Sequence, residues 1–179
     1  MRAILIILSL LVSYCTHAQQ EPFYYAQNHN VYNRDANVIS GYAEVYCKKN
    51  KKDFYDRKAD TTYSPGFICR TGDTVKALAV WDMKHTLCFG NIVILAEVYY
   101  YAKPSRTRIE VRNLRFMRAD IKGKNVEQCP NEGTIEELMK CKDCISFASD
   151  LQSKIGAKFT ELNKEYKAYL KEAYYDDNW

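Results

Sequence analysis

Between Ile92 and Arg118, an apolar run that passes into alternation at Glu97 meets a second, alternating run at Lys103-Pro104-Ser105-Arg106, and this pattern predicts a long β-hairpin. With Pro104 supplying the fixed φ favoured at the second position of a type I turn, the register follows by counting outward. Ala102 faces Thr107; Val98 meets Val111 and Tyr100 meets Ile109 on an apolar face; Glu97 meets Arg112 and Tyr101 meets Arg108 on a charged, phenolic one. Opposed pairs of this kind contribute about 0.2–1 kcal/mol each, and a slip of one residue would exchange the two faces. At Asn113 the alternation changes phase: Arg108, Glu110 and Arg112 hold polar even positions, and then Leu114 and Phe116 make the even positions apolar. A β-bulge near Asn113 accounts for the switch and would bend the sheet.

The remaining pattern supplies the frame around this hairpin. Residues 19–36 have no period and read as an N-terminal arm. Ile39, Gly41, Ala43, Val45 and Cys47 alternate with Ser40, Tyr42, Glu44 and Tyr46, which predicts a half-buried strand with Cys47 on its core face. A basic turn and then a loop or short helix lead to Ser64-Pro65-Gly66, and Phe67–Arg70 with Val75–Trp81 form a second hairpin around Thr71-Gly72-Asp73-Thr74. Thr134-Ile135-Glu136-Glu137 is a capping box that opens a short helix. Beyond Asp143, Ile145, Ala148, Leu151, Ile155, Phe159, Leu162, Tyr166, Tyr169, Leu170 and Ala173 recur at helical steps, with lysines on the other sides. The predicted class is α+β: a curved antiparallel sheet of about five strands covered by a long C-terminal amphipathic helix, in one domain over residues 37–179.

Composition changes this picture at the N-terminus and at the cysteines. Arg2, the apolar run Ala3–Val12 and the small residues of Thr16-His17-Ala18 read as a signal peptide over residues 1–18, cut before Gln19. The run falls well short of the ~20 residues that span a bilayer, and Tyr14 stands where lipid attachment at Cys15 would need a small residue. The expected location is periplasmic or extracellular. There Cys47, Cys69, Cys88, Cys129, Cys141 and Cys144 would pair as three disulfides, in a connectivity that spacing alone does not choose. The formal charge of +4 drops by one with Arg2 and is spread among acids, so no nucleic-acid partner is expected.

Taken together, Val93-Ile94-Leu95-Ala96-Glu97-Val98-Tyr99, a short turn, Arg106–Phe116, Thr134-Ile135-Glu136-Glu137-Leu138 and the Lys-rich terminal helix resemble an exported bacterial domain family of unknown function whose fold is similar to that of the TATA-box-binding protein. The resemblance spans residues 67–174. It implies a curved antiparallel sheet with helical cover and brings no catalytic residues. The chain departs from the family in two respects: the segment before Phe67 does not match the helix that the resemblance implies there, and six cysteines are foreign to the pattern. A fold shared with a DNA-binding protein does not imply DNA binding, because function resides in sites.

Each candidate chemistry in the chain has a structural alternative. Cys141-Lys142-Asp143-Cys144 has the spacing of a redox pair, but it lacks a βαβ context and Asp143 disfavours the thiolate, so structural disulfides are expected. Cys129-x11-Cys141-x2-Cys144 is not a common zinc spacing, and neither a metal nor a cofactor is implied. Only His29 and His85 survive export, with no nucleophile motif nearby, so an enzyme is not expected. Arg106, Arg108, Arg112, Arg115 and Arg118 read as a solvated sheet face rather than an anion-binding strip. The face carrying Glu97, Tyr99, Tyr101, Arg108, Glu110 and Arg112 is the candidate binding site, since exposed tyrosines among charges suit recognition. Tyr42 and Tyr46 read as further face tyrosines. The expected role is a non-enzymatic binding or structural protein of the bacterial envelope. Its partner would be another envelope or extracellular protein, or a glycan; the alternative functions are a thiol-disulfide redox protein using Cys141 and Cys144 and a secreted glycan or peptide binder.

Overall fold

The computed structural model describes residues 23–50, 54–56, 61–63, 68–85, 90–118 and 132–176. The signal-peptide reading, Cys88 and Cys129 lie outside these residues. In chain order the elements are β1 (Tyr25–Asn30), α1 (Ala36–Lys49), β2 (Phe54–Asp56), β3 (Thr61–Tyr63), β4 (Cys69–Thr71), β5 (Thr74–His85), β6 (Gly90–Lys103), β7 (Arg106–Arg118), β8 (Glu132–Thr134), α2 (Ile135–Lys140), a 3-10 turn (Lys142–Cys144) and α3 (Ile145–Asp176). The main sheet is antiparallel with order β1-β7-β6-β5-β4, and β8 joins the far end of β7. β2 and β3 pair separately, where the sequence predicts a loop or short helix.

The β6–β7 hairpin has the predicted register: Val98 opposes Val111, Tyr100 opposes Ile109, Glu97 opposes Arg112 and Tyr101 opposes Arg108. One local detail differs. Ser105 has a φ of 61°, the sign that a type II rather than a type I turn requires at its third position. The bulge falls where the phase of the sequence changes. Glu97 faces Arg112 but Leu95 faces Arg115, so Asn113 and Leu114 together oppose Ala96. Asn113 takes φ 52°, a left-handed conformation that asparagine tolerates better than most residues. The extra residue turns Leu114 and Phe116 inward, where they are fully buried.

The predicted strand over Ile39–Cys47 is instead helix α1. Asp35 caps it, its carboxylate accepting from the Val38 N–H at 2.9 Å. The buried positions are Ile39, Ser40, Ala43, Tyr46 and Cys47, a three- and four-residue spacing, while Val45 is 43% exposed. An apolar residue at every second position also places Ile39, Ala43 and Cys47 four apart, so both periods fit the same letters. The cap and the available sheet face decide for the helix. Tyr46 is therefore a core residue rather than part of a charged face, and the half-buried Tyr42 accepts a hydrogen bond from Arg34 Nε at 3.3 Å. Gly41 lies inside α1 with an ordinary φ and nothing within 4 Å of where a Cβ would stand. Replacing it with alanine is expected to raise the unfolding free energy by about 0.5–1 kcal/mol, because alanine loses less backbone entropy in a helix. A urea titration checks this, and destabilisation would contradict the helical assignment.

Two further segments behave in ways the local sequence does not show. Part of the arm, Tyr25–Asn30, is edge strand β1, held by β7 and by α3: Tyr25 donates its hydroxyl hydrogen to the Gln152 carbonyl at 2.9 Å and stacks on Phe159. The local sequence hides this because the strand gains its contacts on α3 from residues more than a hundred positions away. Ile145 is 65% exposed instead of belonging to the α3 stripe. Cys144 and Phe147 occupy the buried positions there, and Ile145 lies about 100° around the axis from Cys144 and about 160° from Phe147. From Ala148 to Ala173 the stripe packs as predicted, and the Thr134–Glu137 capping box is formed in both directions.

Candidate functional site

On β6 the even-numbered residues from Ile92 to Ala102 are buried beneath the helices, so Glu97, Tyr99 and Tyr101 project to the opposite side of the sheet. Before the bulge, Arg108, Glu110 and Arg112 of β7 do the same, paired with Tyr101, Tyr99 and Glu97 in turn. All six predicted residues share this outer face. Two carboxylates organise it. Glu97 accepts hydrogen bonds from Lys76 Nζ at 2.6 Å, Tyr99 OH at 2.7 Å and Asn113 Nδ2 at 2.6 Å. Glu110 accepts from Arg108 Nε at 2.6 Å and from the Arg112 guanidinium. Although it faces outward, Glu110 is only 5% exposed, hemmed in by its two arginines.

The aromatic rings are part of the same network. Tyr99 and Tyr101 stack with centroids 6.0 Å apart and planes 8° from parallel. The Arg112 guanidinium lies 5.5 Å from the Tyr99 centroid and 5.9 Å from that of Tyr101, and Lys76 Nζ lies 5.4 Å from Tyr99. Burial works to raise the Glu97 pKa, but the hydrogen bonds from Lys76, Tyr99 and Asn113 outweigh it and hold the carboxyl below its ordinary value. Lys76 and Asn113 join the site without having been expected there. Lys76 reaches Glu97 only through the β5–β6 pairing, which places it opposite Tyr99. Asn113 carries a signal in the sequence, the bulge, but one that points to backbone rather than to side-chain chemistry.

The arginine row does not form one strip. Arg118, after the bulge, is opposite Ile92 and only 6% exposed, whereas Arg112 and Arg115 are exposed. The cysteines also differ from the three-bridge expectation. Cys141 and Cys144 are joined, Cα atoms 5.2 Å apart, across the turn between α2 and α3. Cys47 and Cys69 are free thiols. Helix α1 turns Cys47 into the core, where burial pushes its pKa up to about 12 despite a hydrogen bond with Tyr100, so it is a poor nucleophile. Cys69 is exposed on the short edge strand β4. Among the described residues no group of His, Cys, Asp and Glu side chains has the arrangement of a metal site, and no helix is long and apolar enough to cross a membrane.

An open antiparallel sheet with its helices gathered on one face and a long C-terminal helix defines an α+β protein of TBP-like fold. A TBP-like protein from Parabacteroides distasonis ATCC 8503 shares it, with a TM-score of 0.55 at 11% identity over 89% of this chain and 97% of that one. A DUF4468 family protein from Bacteroides ovatus ATCC 8483 aligns with a TM-score of 0.38 at 12% identity over 78% of this chain and 87% of its own. The sequence matches no protein-family model and no curated protein. At these identities the likeness concerns fold alone.

Proposed function

We propose that this chain is an exported, non-enzymatic binding or structural protein of the bacterial envelope, acting on another envelope or extracellular protein through the outer face of the β6–β7 hairpin. The observation that carries this reading is the assembly of Glu97, Tyr99, Tyr101, Arg108, Glu110 and Arg112, with Lys76 and Asn113, into one cross-linked network on the side of the sheet away from α1 and α3. A preorganised set of tyrosines and arginines loses little conformational entropy on binding, and these residue types dominate interface energetics. Arg112 and Lys76 already sit against the tyrosine rings, which favours a protein surface contacting hydroxyls and guanidinium groups over a sugar stacking on an open ring. Export accords with the leader-like N-terminal sequence and with the Cys141–Cys144 bridge.

The double variant Tyr101→Ala with Arg108→Ala tests the reading. Both side chains are partly exposed, so the fold is expected to survive with a loss of roughly 1 kcal/mol or less. Recovery of a cross-linked envelope partner is expected to fall at least tenfold relative to wild type. Unchanged recovery of every partner by a variant with wild-type stability would refute the proposal.

A further inference from the structure

A second feature lies on the helical side of the sheet. The end of β1 and the C-terminal half of α3 enclose a cleft of about 460 Å³, within the ~300–1,000 Å³ range of small-molecule sites. Val31 and Leu170, 4% and 5% exposed, form its apolar floor, and Tyr32, 78% exposed, stands at its rim. Lys167 and Lys171 line one wall and His29 the other. The two lysines are four residues apart on one helix face, a like-charge spacing that is unfavourable in an isolated helix. Nearer the start of α3, Lys154 is paired with Asp150 at 2.8 Å and Lys158 with Glu161 at 2.7 Å. Among the described residues no carboxylate pairs with Lys167 or Lys171. His29 is oriented by a 3.2 Å hydrogen bond between Nε2 and the Asn163 side-chain oxygen and packs edge-on to Tyr166. Burial and then the Lys167 charge lower its pKa, against the opposing pull of Asn163.

We infer that this cleft binds a small organic anion, a carboxylate or phosphate attached to a short apolar body. The anionic end neutralises Lys167 and Lys171 together, and the apolar part rests on Val31 and Leu170. Lysine ammonium groups act as point charges without a planar fork, so either head group satisfies them. The site is independent of the hairpin face and stands or falls separately from the function proposed for it.

The test uses hexanoate, hexyl phosphate, inorganic phosphate and hexanol as probes, titrated into the full chain and followed by the amide resonances of Val31 and Leu170. At least one of the two hexyl anions is expected to shift these resonances saturably, and to bind at least tenfold more tightly than hexanol or inorganic phosphate. Which one binds identifies the head group. Lys167→Ala with Lys171→Ala is expected to weaken that anion at least tenfold, whereas Lys154→Ala with Lys158→Ala leaves it unchanged. Absence of saturable shifts with both hexyl anions, or equal affinity in the Lys167/Lys171 variant, would overturn the inference.

Discussion

Phe116→Ala is expected to destabilise the protein by about 3–5 kcal/mol, the cost of emptying a fully buried aromatic site. The ring is 1% exposed and meets Phe147 of α3 edge to face at a centroid distance of 5.7 Å. It also lies directly against β8: a Cβ on Gly133 would come within 3.3 Å of it, so backbone and ring are already in close contact. At roughly 2–4 °C per kcal/mol for a chain of this size, the melting temperature should fall by about 6–20 °C. Arg115→Ala, one residue away and exposed, should change stability by no more than about 0.5 kcal/mol. The contrast tests the bulge itself, because without the extra residue at Asn113 the even-numbered Phe116 would stay in phase with Arg112 and point outward. Comparable small effects at both positions would show that the register after Asn113 is wrong.

Tyr166→Ala should cost a similar amount, about 3–5 kcal/mol, because this side chain joins three elements. It has no exposed surface and sits 4.9 Å from the Tyr100 ring of β6 and 5.1 Å from the Tyr46 ring of α1, centroid to centroid. Tyr46 in turn lies 6.2 Å from Tyr100 and 5.4 Å from Tyr169. A double-mutant cycle with leucine at positions 46 and 166, measured by urea unfolding, should give a coupling of about 0.5–1.5 kcal/mol. If the segment holding Tyr46 were a strand with that side chain on a charged face, the coupling would vanish.

Phe116 and Tyr46 lie on opposite sides of what the sequence makes legible. The β6–β7 register can be read because every pair in it is local: a turn residue, two alternating runs and opposed charges specify one another within a single hairpin. The phase change at Asn113 is legible for the same reason. The site residues follow from the register, since face membership in a strand is a matter of parity. Lys76 does not, because its neighbour Tyr99 belongs to another hairpin strand and the β5–β6 alignment is not written in either segment alone.

By itself, then, the sequence determined the central hairpin with its bulge, the capped helix at Thr134, the apolar stripe of the terminal helix and hence an α+β sheet with helical cover. Each depends on residues within a few turns or one loop of one another. Tertiary structure alone decided that Ile39–Cys47 coils rather than extends, that Tyr25–Asn30 becomes an edge strand, and that Cys47 stays a buried thiol while Cys141 and Cys144 join. In those segments local propensity is nearly balanced, and burial against a distant sheet or helix tips it.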